Sequence, residues 1–384
     1  MSSPDKHDRP GDLSILPVRN PRDLERFIRV PWSIYDDDPC WIPPLLMERK
    51  QHLSAKNPYF RHASWQAWVA FRDGKPVGRI SAQVDRLRLE RYQDATGLFG
   101  FIEADDDPAT FRLLLDTACN WLREQGMKRV QGPFNLSIND ECGLLVEGFD
   151  TPPCFMMGHA RTYYAGSLEA LGYHKAMDLL AYHLSVDFVV PGAMRKLISK
   201  SSTRITVSPL RRKHLHEELA VLRELFNDAW ANNWGFVPFT HEEFDELGRN
   251  LARLVDQDFI QIASVDGKPA AMIVALPNLN EAARDLDGRL LPLGWIKLLW
   301  RLKRHKLKTA RVTLMGVRQE YHNTTLGMAL AYTLIEAIRL PVTSQGIREV
   351  EMSWILENNR NMRHILESLG ADPYKRYRIY QKEL

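Results

Sequence analysis

One stretch decides the fold: Arg311-Val-Thr-Leu-Met-Gly-Val-Arg-Gln-Glu-Tyr-His-Asn-Thr-Thr-Leu-Gly327, followed by a helical pattern up to Leu340. Val312, Leu314 and Val317 suit a buried strand, and Leu330, Leu334 and Ile338 then recur with the spacing of one helix face. A polar turn between a strand and a helix leaves backbone N–H groups free, at the positive end of the helix dipole. The stretch therefore predicts an anion site suited to a pyrophosphate.

The turn resembles the acyl-CoA-binding turn of the GNAT superfamily of N-acyltransferases, which reads Gln/Arg-x-x-Gly-x-Gly/Ala. Here His322 takes the first position, Thr325 replaces the first glycine and Gly327 keeps the last. An ordinary loop between a strand and a helix is the alternative for this window. The resemblance implies that the cofactor is held by Val317, Arg318, His322, Asn323, Thr324, Thr325, Leu326, Gly327 and Met328.

Composition is typical of a globular protein. The 384 residues are 45% hydrophobic and 26% charged, enough for two ordinary domains. We expect no secretory signal, no membrane span, no metal site and a cytoplasmic location. Four cysteines without Cys-x-x-Cys spacing are read as reduced thiols: Cys40, Cys119, Cys142 and Cys154.

Three ordered matches indicate an internal duplication. Asp-Gly-Lys-Pro at 73 and 266 lies 193 residues apart, Gln-Gly at 125 and 345 lies 220 apart, and Leu-Glu-x-Leu-Gly at 168 and 366 lies 198 apart. So long a period excludes a solenoid and predicts two tandem copies of one fold. The differences between offsets predict insertions around 277–308 in the second half and 132–157 in the first.

The order of helices and strands in each half resembles the GNAT fold. We therefore predict an α/β protein of two GNAT-like domains, each a mixed, mostly antiparallel sheet with helices on both faces. Residues 1–20 are predicted to be a disordered lead-in, 21–200 a degenerate N-terminal domain, and 201–384 a C-terminal domain carrying the acyl-CoA site. In GNAT folds the fourth and fifth strands splay apart, and acyl-CoA enters the gap.

Charge assigns the cofactor to the second half. The corresponding turn of the first half carries Asp105, Asp106 and Asp107, which would repel a pyrophosphate, whereas the second has Arg318 and hydroxyl groups. GNAT enzymes often carry Asn-x-x-Ala-x-x-x-Tyr in the last helix, and here that tyrosine is absent. Asn358 and Asn361 are candidates to bind pantetheine, with helix capping as the alternative. The general acid stays unassigned, and Tyr380 is a candidate beside Tyr374 and Tyr377.

Amine acylation needs a base, because an ammonium must lose a proton before it attacks a thioester. Glu357, at the end of a predicted strand, is one candidate. Asp140 and Glu141, in the first-half insertion, are others, although paired carboxylates on a loop are also common in solvated turns. Cys142 lacks a histidine partner at a recognisable spacing.

The second-half insertion is basic and amphipathic. Residues 288–319 contain nine Lys and Arg and no Asp or Glu, so the rest of the chain carries −6. Trp295–Lys308 has the composition of an interfacial membrane helix, with a surface helix packed on the core as the alternative. Nucleic-acid binding is disfavoured, since the basic residues are confined to one helix.

Two further motifs, Gly132–Phe149 and Lys375–Tyr380, resemble a family of tandem-GNAT bacterial proteins that includes bacterial ceramide synthases. The resemblance implies transfer of an acyl group from acyl-CoA, as co-substrate with no permanent cofactor, to a sphingoid-base-like amine. The location would then be cytoplasmic, or peripheral at the inner face of the cytoplasmic membrane. Acetylation of a small polar amine, or CoA or membrane binding without catalysis, are the alternatives. Trp230, Trp234 and Phe236 are candidates to line the acceptor groove.

Overall fold

The computed structural model describes residues 12–304 and 307–384. The first half contains strands β1 Leu13–Pro17, β2 Ala63–Arg72, β3 Lys75–Asp85, β4 Thr96–Ala104, β5 Arg129–Gly132, β6 Phe134–Asn135, β7 Glu141–Cys142, β8 Leu144–Glu147 and β9 His174–Ser185. Its helices are α1 Pro21–Ile34, α2 Leu46–His52, α3 Arg86–Tyr92, α4 Pro108–Glu124 and α5 Tyr164–Ala170, and α6 Gly192–Ser201 leads to the second half.

The second half repeats this order. Its strands are β10 Ile205–Pro209, β11 Ile260–Val265, β12 Lys268–Pro277, β13 Thr309–Val317, β14 Glu349–Leu356 and β15 Asp372–Glu383. Its helices are α7 Leu215–Ala229, α8 His241–Leu254, α9 Leu279–Ala283, α10 Gly294–Lys303, α11 Thr325–Ser344 and α12 Arg360–Ser368. The predicted duplication is therefore seen in the element order, with α9 and α10 as the second-half insertion.

Local chemistry explains the repeated hairpins. In both Asp-Gly-Lys-Pro turns the first two residues are left-handed, with φ of 50° and 77° at Asp73 and Gly74 and of 49° and 80° at Asp266 and Gly267. Such a turn matches the twist of an antiparallel hairpin, and Asp and Gly tolerate it best. The hairpins β2–β3 and β11–β12 follow as predicted.

The two halves share one sheet by exchanging their last strands. Across the described residues, the long path runs β1-β2-β3-β4-β5-β15-β9-β14-β13-β12-β11-β10. The last strand of the second half, β15, pairs with β5 of the first half, and β9 of the first half pairs with β14 of the second. Each half is thus completed by a strand from the other. The halves nevertheless keep separate hydrophobic cores on the two sides of this seam.

The predicted disordered lead-in, residues 1–20, extends too far, because its later part is ordered. Residues 13–17 form β1, which pairs with β2 from Leu13 opposite Arg72 to Pro17 opposite Trp68. Edge pairing gives this short segment its order, which local composition does not reveal. Residues 1–11 lie outside the described part of the chain.

Helix α11 is long and apolar enough, by length and composition, to cross a membrane. Its apolar side, however, packs on the sheet through Leu330, Leu334 and Ile338, which are at most 6% exposed. Contacts with β11, β12 and β13 make it a core helix of the second half.

Candidate active site

The parallel strands β13 and β14 separate as the resemblance implied. They pair from Thr309 opposite Glu349 to Val312 opposite Met352, and not beyond. A cavity of about 150 Å³ opens where they part, lined by residues 312–315 of β13 and 352–356 of β14. The separation leaves main-chain groups of both strands available to a ligand.

In the first half the same gap is closed. Strands β4 and β5 pair from Thr96 to Leu98, and the chain after β5 stays close to β4. A Cβ on Gly100 would lie 1.8 Å from the Phe134 carbonyl oxygen, so the two main chains are in direct contact. Gln83 seals the contact by donating to the carbonyls of Phe134 and Leu136 at 2.8 and 2.9 Å. The first-half turn is occupied too, since Arg72 pairs with Asp105 and Asp107.

The turn after β13 presents unpaired donors. Within the described residues, the backbone N–H groups of Asn323, Thr325 and Leu326 donate to no acceptor, while that of Gly327 donates to the Thr324 hydroxyl at 3.0 Å. Asn323 is left-handed, with φ of 58°. We call residues 323–327 the nest. It lies at the N-terminus of a 20-residue helix, a geometry that binds anions.

Gly327 is required by close packing. A Cβ at this position would lie 2.1 Å from the Tyr321 carbonyl oxygen and 3.0 Å from its carbon. That carbonyl accepts a hydrogen bond from Thr324, so it belongs to the turn itself. The glycine therefore fixes the shape of the nest.

The other predicted cofactor residues surround the nest in different ways. Asn361 of α12 donates to the Asn323 side chain at 3.0 Å, which joins two of them directly. The His322 ring lies 2.7 Å from the Val317 carbonyl, and Arg318 donates to the Pro269 carbonyl at 2.9 Å. Leu326 packs on the second core, whereas Met328 is exposed. The Asn358 carbonyl accepts from Arg360, and Asn359, not Asn358, lines the cavity.

The cavity is roofed by aromatic residues. Phe226, Trp230, Trp234, Phe236 and Phe239 line it, together with Leu247 and Leu251 of α8. The structure thus places all three groove candidates, Trp230, Trp234 and Phe236, on the cavity wall. An enclosure so rich in apolar surface favours an alkyl chain over a small polar group.

Polar groups on the cavity wall are few. Of the described residues that line it, Asp140 is the one carboxylate and Arg311 the one cation. The Arg311 guanidinium is engaged, since it donates to the Ser353 hydroxyl at 2.7 Å and to the Phe155 carbonyl at 2.9 Å. It braces the first half against the splayed strands, and Asp140 provides the negative charge on the described cavity wall.

Asp140 is contributed by the first half. The insertion that closes the first-half gap carries Ile138, Asn139 and Asp140 across to the second-half cavity. One oxygen of Asp140 accepts from the Ser137 N–H and hydroxyl at 3.1 and 2.7 Å, and the other lies 3.1 Å from His52. Asn139 donates to the Val237 carbonyl at 3.1 Å, which ties the loop to the second half.

The other catalytic candidates are not brought to the cavity. Glu357 pairs with Lys175 at 2.9 Å, and Glu141 pairs with Arg49 at 2.7 Å. Although burial opposes it, the charge and hydrogen bond of Arg49 lower the pKa of Glu141 to about 2, so it stays a structural carboxylate. The buried Tyr380 side chain donates its hydroxyl to the half-exposed Glu169 at 2.9 Å, and burial raises the pKa of Tyr380 to about 12. Burial likewise raises the pKa of Cys142 far from that of a nucleophile.

Sequence reasoning missed several residues at this site. His52, Asn233, Arg311 and Ser353 all lie at or behind the cavity wall, and none follows a motif. His52 and Asn233 lie far from the nest in sequence, and Ser353 lies on β14, across the gap from β13. Their proximity arises from tertiary packing.

An ionic bridge between the halves holds α8 over the cavity. The His62 ring lies 3.0 Å from Asp85 of the first half and 3.0 Å from Glu243 of α8. Burial alone would lower the pKa of His62, but hydrogen bonds to the two carboxylates outweigh burial and raise it to about 9.

We expect this bridge to make stability depend on pH. Since the pKa is about 9 in the folded protein and about 6.5 in an unfolded chain, the stabilisation is complete below about pH 6.5 and lost as pH rises through about 9. After allowance for solvent screening it is worth on the order of 2 kcal/mol. Urea unfolding of wild type and His62→Ala at pH 6 and 10 measures it. His183, a half-exposed histidine paired with Glu349, provides the control. If His183→Ala lowered the free energy of unfolding at pH 6 and at pH 10 by the same amounts as His62→Ala, the assignment to His62 would be contradicted.

Comparisons with known proteins agree with this architecture. No family model matches the chain. It is 52% identical over 366 residues to Protein YghO of Escherichia coli K12, covering 95% of this chain and 94% of that protein. It is 44% identical over 377 residues to the Bacterial ceramide synthase of Caulobacter vibrioides, covering 97% and 98%.

Solved structures support the fold. A tandem GNAT protein from the clavulanic acid biosynthesis pathway superposes with a TM-score of 0.56 at 14% identity, covering 97% of this chain and 98% of that one. A GCN5-related N-acetyltransferase from Sphaerobacter thermophilus gives a TM-score of 0.54 at 12% identity, covering 96% and 95%. The chain therefore belongs to the class of proteins with a tandem GNAT fold. Within that class it belongs to the family of the Caulobacter ceramide synthase and Escherichia coli YghO.

Proposed function

We propose that the protein transfers the acyl group of an acyl-CoA to the primary amine of an amphipathic, sphingoid-base-like acceptor. The observation that carries the proposal is an apolar, aromatic-roofed cavity whose described lining carries a single carboxylate, Asp140. Such a cavity suits a ligand with an ammonium head and a hydrocarbon chain. The ceramide synthase activity for which the Caulobacter relative is named supports the same acceptor.

The co-substrate is proposed to enter between β13 and β14. The free N–H groups of Asn323, Thr325 and Leu326 would hold the pyrophosphate. The gap beyond Val312 and Met352 would hold the pantetheine arm, with its thioester beside the cavity. A ligand bound in this way needs no metal, because the nest and helix dipole supply the positive potential.

Asp140 is proposed to bind the acceptor ammonium and take its first proton. The free amine then attacks the thioester carbon, a C–N bond forms, and the C–S bond breaks as the sulfur leaves with the electron pair. The second proton lost by the nitrogen neutralises the departing thiolate. The products are an amide, CoA thiol and one proton returned to solvent.

Release of CoA thiol tests this function. Acetyl-, octanoyl- and palmitoyl-CoA would each be offered with sphinganine, spermidine and no acceptor, and thiol would be titrated colorimetrically. We expect thiol release that depends on sphinganine. Release with spermidine alone would support acetylation of a small polar amine instead, and CoA binding without turnover of any amine would contradict catalysis.

We further propose that the protein docks peripherally on the inner face of the cytoplasmic membrane. Leu291, Leu293, Trp295, Ile296 and Trp300 on and before α10 are between 47% and 68% exposed. The other side of α10 faces the preceding part of the insertion, because Arg301 pairs with Asp285 at 2.7 Å and donates to the Ala282 carbonyl of α9 at 2.6 Å. The helix therefore presents its apolar side outward, with exposed Lys303 and Arg304 beside it. This combination suits an anionic lipid surface.

Replacing Trp295 and Trp300 with glutamate is expected to abolish this docking. Each tryptophan buried in the interface is worth about 2 kcal/mol, so the double variant should bind vesicles about 1,000-fold more weakly. Flotation with vesicles of phosphatidylcholine and phosphatidylglycerol measures binding. Leu340→Glu, at a residue 74% exposed on α11, is the control. Equal flotation of all three proteins would contradict the proposal.

A further inference from the structure

His52 stands directly behind the cavity carboxylate. It is the last residue of α2, and its Nε2 lies 3.1 Å from Asp140 Oδ1. Its other ring nitrogen, Nδ1, is buried, and no partner for it is found among residues 12–304 and 307–384. The pair thus couples a titratable ring to the group proposed to meet the acceptor.

Packing alone does not account for this pair. Ser137 already satisfies the other oxygen of Asp140 through its N–H and its hydroxyl. A neutral donor on Oδ1 would complete the carboxylate equally well. A histidine at this position differs from other donors because its ring can gain or lose a proton near neutral pH.

The charges around His52 favour its protonated form at mildly acidic pH. Asp140 and Glu141 face it from the 137–142 loop, and Glu48 and Arg49 from its own helix. Arg49 is engaged by Glu141 at 2.7 Å. Burial opposes the charge, but the hydrogen bond and charge of Asp140 outweigh burial, so the pKa of His52 is raised above its ordinary value.

Resting on the proposed function, we infer that His52 is a positioning residue that switches the charge of the acceptor site. When His52 is neutral, the His52–Asp140 pair carries one negative charge and binds an ammonium. When His52 is protonated, the pair is neutral and the site loses its attraction for the acceptor. The switch acts on the acceptor and leaves the nest, whose residues do not line the cavity, unchanged.

His52→Gln tests the switch, because its amide still donates to Asp140 but does not titrate. At saturating palmitoyl-CoA, kcat/KM for sphinganine would be measured by thiol release from pH 5.5 to 8. We expect the wild type to lose about tenfold between pH 7.5 and 5.5, and the variant less than about threefold. The loss should lie in KM for sphinganine, with KM for palmitoyl-CoA unaffected.

His159→Gln is the matched control. His159 forms the same kind of buried pair with Asp38, at 2.8 Å, but neither residue lines the cavity. Its profile should follow the wild type. If active His52→Gln lost kcat/KM between pH 7.5 and 5.5 as steeply as the wild type, this inference alone would be overturned. If the wild type released no thiol, the proposed function would be overturned, and this inference with it.

A second measurement does not depend on that variant folding. The ring protons of His52 would be followed by NMR in wild type and Asp140→Asn. We expect the carboxylate's loss to lower the apparent pKa of His52 by about one unit or more. An unchanged titration would show that the two groups are not coupled and would overturn the inference.

Discussion

Gly327→Ala is expected to weaken acyl-CoA binding by about 100-fold or more. A methyl group at this position would lie 2.1 Å from the Tyr321 carbonyl oxygen, a main-chain atom that has no rotamer to escape into. The turn must therefore shift, and the N–H groups of Asn323, Thr325 and Leu326 would no longer converge on one anion. Two or three charge-assisted hydrogen bonds, each worth about 1.5–3 kcal/mol, are at risk.

Calorimetry with CoA measures the effect directly, without an acceptor. Gly166→Ala is the control, because that glycine lies within helix α5 and an added Cβ would meet no atom within 4 Å. The control should bind CoA as the wild type does. Wild-type affinity in Gly327→Ala, with the fold intact by circular dichroism, would show that the nest is not the pyrophosphate site.

Asp140→Asn is expected to reduce kcat/KM for the acceptor by a factor of about 100 to 10,000. The substitution keeps the shape of the side chain and its contact with Ser137, but removes the negative charge and the proton acceptor. General base catalysis alone contributes about 10²–10⁴-fold. The affinity for CoA should not change, since Asp140 lies on the cavity wall and not in the nest.

Glu357→Gln is the informative comparison for this variant. Glu357 is an equally good candidate by sequence, yet it pairs with Lys175 outside the cavity lining. We expect it to retain activity within about threefold of wild type, because surface ion pairs contribute little. A severe loss in Glu357→Gln, with Asp140→Asn nearly active, would exchange the two roles and contradict the proposed acceptor site.

Much of the fold could be predicted from local chemistry. The Asp-Gly turns, the amphipathic helices and the polar turn before α11 are properties of short segments. The doubled order of elements therefore followed from the pattern alone. What could not be predicted is the exchange of β9 and β15, because strand pairing depends on which distant edge is free.

The site could be predicted in part. The turn that forms the nest could be proposed because its residues are consecutive between a strand and a helix. Asp140 is one of several carboxylates with no distinguishing local signal, and His52 belongs to no motif. Their pairing joins two segments 88 residues apart through a loop that first closes the gap of its own half.

The sequence by itself determined that this chain has a duplicated acyltransferase fold, and it predicted which half carries the anion-binding turn. Those properties depend on neighbours along the chain and on the charge at one turn. Only the tertiary structure decided that each half is completed by the other's final strand, and that the half without a cofactor gap supplies the cavity carboxylate. Such relations come from long-range burial, which brings together residues that no local pattern connects.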